Sequence, residues 1–110
     1  MTLNRKDAIR EYKERKPNRG VYSYTCVGSG AVWVESTPNL VAARNFLESS
    51  LRHGSHRNQL LQAHWNQHRN FEFTVLENFP EDVSDLALKD LYKDRRTYWS
   101  NQLSAPTINP

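Results

Sequence analysis

The tripeptide Gly28-Ser29-Gly30 lies between two short apolar runs, Val21 to Val27 and Ala31 to Glu35, and constrains this chain more than any other feature. Both runs are rich in Val, Tyr or Trp, side chains that suit a pleated, half-buried strand. Glycine supplies the positive φ that a tight hairpin connection needs. Thr37-Pro38 follows at once and predicts a helix start, with Thr37 as N-cap and Pro38 as the first helical residue.

The same reading extends along the chain. Leu40, Ala43, Leu47 and Leu51 share one helical face with Phe46 beside them, and Gly54 is placed to end that helix. Ser55 is a candidate cap for a next helix carrying Leu60, Leu61, Trp65 and His68. Phe71 to Val75 alternates strictly, which predicts a strand with Phe71, Phe73 and Val75 facing inward. Ser84 caps a last helix reaching about Trp99, with Leu88, Leu91, Tyr92 and Tyr98 on its buried side. Before the hairpin, Asn4 to Lys16 reads as a helix with a narrow apolar stripe of Ala8, Ile9 and Tyr12, stopped by Pro17. The order is α-β-β-α-α-β-α, an α+β fold in which a three-stranded antiparallel sheet is flanked by helices.

Composition narrows the class. At 110 residues with 37% apolar content the chain suits one domain with a modest core and a very polar surface. A lone cysteine, Cys26, excludes an internal disulfide and reads as a small core filler in a reducing compartment. No apolar run approaches the length of a membrane span, and no signal-peptide core opens the chain, so a cytoplasmic location without membrane attachment is expected. The net charge of +3 originates in the first twenty residues, where seven cations including Lys13, Lys16 and Arg19 face only Asp7, Glu11 and Glu14. Such an arm suits phosphate binding through counterion release, or equally a solvated helix laced with i,i+4 pairs.

The strand and helix segments together carry a resemblance. Gly20-Val21-Tyr22 looks like the first half of the GIY-YIG nuclease motif, and Val32-Trp33-Val34-Glu35-Ser36 stands where its second half belongs. Thr37-Pro38-Asn39-Leu40 resembles the entry to that family's first helix. The stretch from His53 to Asn66 is similar to its G-x-H-x-N-x-x-L-Q-x-x-W-N segment, and Phe71 to Glu77 to its third strand. The match covers residues 18 to 100, and five pieces in order carry it. It implies a GIY-YIG-like sandwich over 18–103, preceded by a basic helix over 1–17 packed on the domain and followed by an irregular tail over 104–110. It also implies metal-dependent cleavage of DNA phosphodiesters: a first tyrosine positions water, a second tyrosine and a helix arginine hold the scissile phosphate, and a last-helix glutamate holds one divalent metal.

By that resemblance Tyr22 is the first tyrosine. Trp33 takes the second tyrosine's place and has no hydroxyl. Glu35 replaces the motif glycine, adding bulk and negative charge where backbone and phosphate approach closely; it either repels DNA or helps bind metal. The helix arginine position holds Ala43, with Arg44 one residue on, about 100° round the helix. His56 is the candidate for phosphate contact or proton transfer, and Asp90 for Mg²⁺ or another divalent metal. Arg52, Arg57, Lys13, Lys16 and Arg19 are candidate DNA contacts. His64 and His68 stand at the i,i+4 spacing of two metal ligands, but no third ligand is evident and a zinc site is not expected. The expected function is that of a GIY-YIG endonuclease-like protein acting on DNA with a degenerate, weak or inactive site. The alternatives are a non-catalytic nucleic-acid-binding module or a protein-interaction domain.

Overall fold

A computed structural model describes residues 18–109, so the predicted N-terminal helix, with Lys13 and Lys16, lies outside the described residues. The elements are β1 (Gly20–Cys26), β2 (Val32–Thr37), α1 (Leu40–Arg52), α2 (Gln59–His68), β3 (Phe71–Asn78) and α3 (Asp85–Leu103). They form a three-stranded antiparallel sheet in the order β2-β1-β3, flanked by three helices. None of these helices is long and apolar enough to cross a membrane.

Strand alternation divides the core in two. Tyr22, Tyr24, Cys26 and Trp33 face α1 and α2, where they meet Leu40, Leu47, Leu51 and Leu61. Val21 and Val34 face the other way, onto Leu88 of α3 and Phe79. Leu47, Leu51 and Leu61 are at most 2% exposed, and each contributes about 1.5–3 kcal/mol through burial. Phe46, expected near that face, is 66% exposed because its position turns it outward.

Caps fall later than the sequence suggests. Asn39, not Thr37, caps α1 through a 3.0 Å bond from the Ala42 N–H; Thr37 Oγ1 instead accepts from the Asn39 N–H. Asn58, not Ser55, caps α2 by accepting from the Leu61 N–H at 3.0 Å. In both cases an amide side chain nearer the first turn wins the capping role. Ser84 caps α3 as expected. Only Gly30 of the hairpin glycines has positive φ (78°).

The third strand is longer than its alternation indicates. A bulge opposite Val21 and Tyr22 leaves Leu76 without a partner on β1. Beyond it, Leu76 packs in the α3-side core and Glu77 receives bonds from Arg95 and Trp99 of α3. Val75, expected inside, is 43% exposed. Gly20 sits against this bulge, where a Cβ would stand 1.8 Å from the Glu77 carbonyl oxygen.

Residues 104–109 of the tail form no helix and one β-bridge, yet this stretch is anchored. It crosses the free edge of β2, with Val34 N–H donating to Pro106 O and Ile108 N–H to Val34 O, both at 3.0 Å. Ala105 joins one core and Ile108 the other. The tail thereby covers an edge strand that would otherwise be open to pairing.

Candidate functional site

Tyr22 lies on the central strand, opposite Glu35 on β2 and Val75 on β3. It is 4% exposed, and its ring stacks on Phe73 at 4.6 Å. Burial first, then the Glu35 carboxylate and Tyr24, push its phenol well above the ordinary tyrosine value. The group therefore stays protonated at neutral pH and can donate a hydrogen bond but not act as a phenolate base. Trp33 is 1% exposed and packs edge-on to His64 at 5.3 Å, so the second-tyrosine position is core.

Glu35 is 4% exposed and its carboxylate is fully engaged. Oε1 accepts from Arg96 and from the Ser36 N–H, each at 3.0 Å; Oε2 accepts from the Asn109 N–H at 2.9 Å. Three donors converge on one carboxylate from β2, α3 and the tail. The α3 side chain that reaches Glu35 is thus Arg96, a cation.

Asp90 is exposed on α3. It comes two residues after buried Leu88, about 200° round the helix, which directs it away from the sheet. The divalent metal implied by the family resemblance does not fit beside Tyr22: the last helix offers a guanidinium there, and the Glu35 carboxylate opposite Tyr22 is already bound by three donors.

Arg44 projects over the outer side of the same wall. Its guanidinium lies 5.9 Å from the centre of the Phe73 ring, the ring that also stacks on Tyr22, and its Nε is 3.4 Å from Glu48. Ala43 takes the inward position, half-buried against the core. Sequence reasoning does not single out Tyr24. It is 2% exposed, and burial, opposed by Arg44 and Arg52, pushes its phenol up to about 12.

His56 is half-buried in the α1–α2 loop. Its Nδ1 accepts the Asn58 N–H at 3.0 Å, and burial lowers its pKa. The next residue, Arg57, lines an open cavity of about 680 Å³ with Asn58, Thr107, Ile108 and Asn109, on the side from which Asn109 reaches Glu35. Arg52 and Arg69 line a second hollow of about 500 Å³ with His53, Trp65 and Asn66. Arg19 is used structurally: its guanidinium donates to the carbonyls of Pro80 and Glu81 at 3.2 and 3.1 Å, pinning the β3–α3 loop. Charge is divided across the molecule. From Asn39 to Asn70 four arginines meet one carboxylate, Glu48, whereas from Phe71 to Leu103 acids outnumber bases.

A second constellation joins His64 and His68. Cys26 lies beside them as a potential third ligand that the sequence does not reveal, and ligand atoms of the three lie within 4.8 Å of one another. The only signal is a faint one: a strand-end cysteine, separated from the histidines by a hairpin and a helix.

No protein-family model matches the chain, and no curated protein matches it either. Solved structures do. The catalytic domain of the homing endonuclease I-TevI superposes with a TM-score of 0.67 and 29% identity over 78% of this chain and 88% of that domain. A point mutant of that catalytic domain gives 0.68 and 27% over 79% and 84%. The chain has the GIY-YIG nuclease fold, and its structural neighbours are the catalytic domain of I-TevI, a GIY-YIG nuclease.

Proposed function

We infer that this chain is a DNA-directed GIY-YIG-fold protein that holds phosphodiesters without cutting them by the metal-dependent route. The Glu35–Arg96 pair carries the reading. It neutralises the Glu35 carboxylate, which is therefore not free to hold Mg²⁺. Two further features work in the same direction. The Tyr22 side chain is buried, and Trp33 has no hydroxyl to offer a phosphate.

The binding half of the function rests on exposed arginines. Arg44, Arg52, Arg57 and Arg69 all belong to the α1–α2 layer, which carries the positive side of the described residues. Their guanidinium groups suit bidentate contact with phosphate oxygens. Each phosphate neutralised releases counterions, so affinity falls with salt at a slope of about −0.9 per contact on duplex DNA.

The test is duplex binding measured over a salt series, paired with plasmid nicking in Mg²⁺ or Mn²⁺. Salt-dependent binding with intact plasmid is expected. Replacing Arg44, Arg52, Arg57 and Arg69 with alanine makes the slope shallower by about 0.9 for each phosphate no longer neutralised. Nicking that requires metal and disappears in Tyr22→Phe overturns the reading. Absence of affinity at low salt transfers the function to protein docking, for which Val41 and Phe46, 67% and 66% exposed, are the first surface to probe.

A further inference from the structure

We propose that Cys26, His64 and His68 bind one Zn²⁺ ion that clips the β1–β2 hairpin to α2. The two histidines stand one helical turn apart, so their rings share a face; they are stacked at 24° with centroids 6.3 Å apart. Cys26 ends β1 beside them, its position fixed by its own N–H donating to Ala31 O and its carbonyl accepting from the Gly30 N–H, both at 2.8 Å. A thiolate with two imidazoles is a ligand set suited to tetrahedral zinc, with water in the fourth position. Both histidines are only half-buried, which leaves that position an outlet to solvent.

The surroundings are shaped for this use. His64 Nδ1 lies 3.0 Å from Ser29 Oγ, which orients the ring and leaves Nε2 for the ion. Such outer partners fix the tautomer of zinc-bound histidines. Gly28 makes room for the other ring: a Cβ there would stand 2.4 Å from His68 Nδ1. Gly28 does not have positive φ, so space for His68, not backbone conformation, explains its missing side chain. Zinc bond lengths require ligand atoms about 3.3–3.6 Å apart. The present set, within 4.8 Å, reaches that by closing roughly 1 Å as the ion enters, a movement within reach of side-chain torsions.

Binding releases the Cys26 thiol proton to solvent and forms one Zn–S and two Zn–N bonds, with no redox change. Metal-free full-length protein is titrated with Co²⁺, then with Zn²⁺ in competition with a chromophoric chelator. One ion per chain is expected. Cobalt should give a thiolate charge-transfer band and the intense visible bands of a tetrahedral site, and zinc should displace it. Cys26→Ala removes the charge-transfer band. His64→Asn and His68→Gln each abolish stoichiometric binding, and Ser29→Ala weakens it at least about tenfold. Circular dichroism of each variant separates loss of ligand from loss of fold, and the wild-type titration decides even where a variant does not fold. No cobalt spectrum and no zinc binding at micromolar concentrations overturn the proposal. So does binding that survives in folded Cys26→Ala with an unchanged spectrum.

Discussion

Arg96→Ala should destabilise this protein far more than an exposed helix substitution does. Breaking a buried ion pair costs about 3–5 kcal/mol when the remaining charge is stranded. Here the stranding is partial. The Glu35 side chain is 5% exposed, yet it keeps the Ser36 and Asn109 N–H donors, and Arg96 itself is 31% exposed. One charge-assisted hydrogen bond disappears, worth about 1.5–3 kcal/mol, which sets the expected cost near 2 kcal/mol. In a domain of this size that lowers Tm by roughly 10 °C. Urea denaturation of wild type, Arg96→Ala, Glu35→Gln and the double variant completes a cycle. The double variant should cost much less than the sum of the two single ones. If Arg96→Ala stays within about 0.5 kcal/mol of wild type and the cycle shows no coupling, Arg96 does not hold Glu35 and the reading built on the pair fails.

Other outcomes can be checked with the same tools. Gly20→Ala should be severely destabilising or prevent folding, because its Cβ would meet a backbone oxygen that cannot move aside; soluble yield and thermal melts report it. Asn58→Ala removes both the α2 cap and the bond to the Ile108 carbonyl at 3.1 Å, and should cost about 1–2 kcal/mol by urea denaturation. Burial lowers the folded pKa of His56, so the unfolded chain takes up its proton first as pH falls. Its contribution is intact above about 6.5 and is lost progressively below that, down to the folded pKa. His56→Gln should therefore flatten the acid side of the stability–pH curve. Tyr24, pushed up to about 12, should ionise late in an alkaline spectrophotometric titration, and Tyr24→Phe should reduce the late amplitude by one phenol while leaving that of Tyr22, which is also raised.

The fold is legible because local chemistry and global architecture agree. Alternating Val, Tyr and Trp, a glycine turn and the Leu40–Leu47–Leu51 stripe each point to the same sheet with helices on its faces. The resemblance from Gly20 to Glu77 then fixes the topology. What escapes is long-range or decided by one residue. The bulge that turns Leu76 inward depends on the β1 register, which alternation within Phe71–Val75 cannot reveal. Asn39 and Thr37 are both good caps, and only the chain's entry angle chooses between them.

The site is legible in outline and misread in detail for a similar reason. Tyr22 and Trp33 follow from the motif, but the burial of Tyr22 follows from β1 lying at the centre of the sheet and that of Trp33 from its packing in the core beneath α1 and α2. Asp90 stands out in the sequence as a carboxylate on the last helix; helical phase, set by Leu88 packing on the sheet, carries Arg96 to Glu35 instead. Separation along the chain hides the Cys26–His64–His68 group, which the hairpin and α2 assemble. The tail's two prolines suggest irregular chain, while the single bridge to Val34 and burial of Ile108 give it a structural role.

Plasmid nicking by the wild-type protein in Mg²⁺ or Mn²⁺, with DNA binding followed in the same samples, tests the reading of the Tyr22–Glu35–Arg96 group most directly. Bound but uncut plasmid is the expected result. Metal-dependent nicking that Tyr22→Phe abolishes would contradict it, because a buried, protonated phenol beside a sealed carboxylate would then be taking part in catalysis.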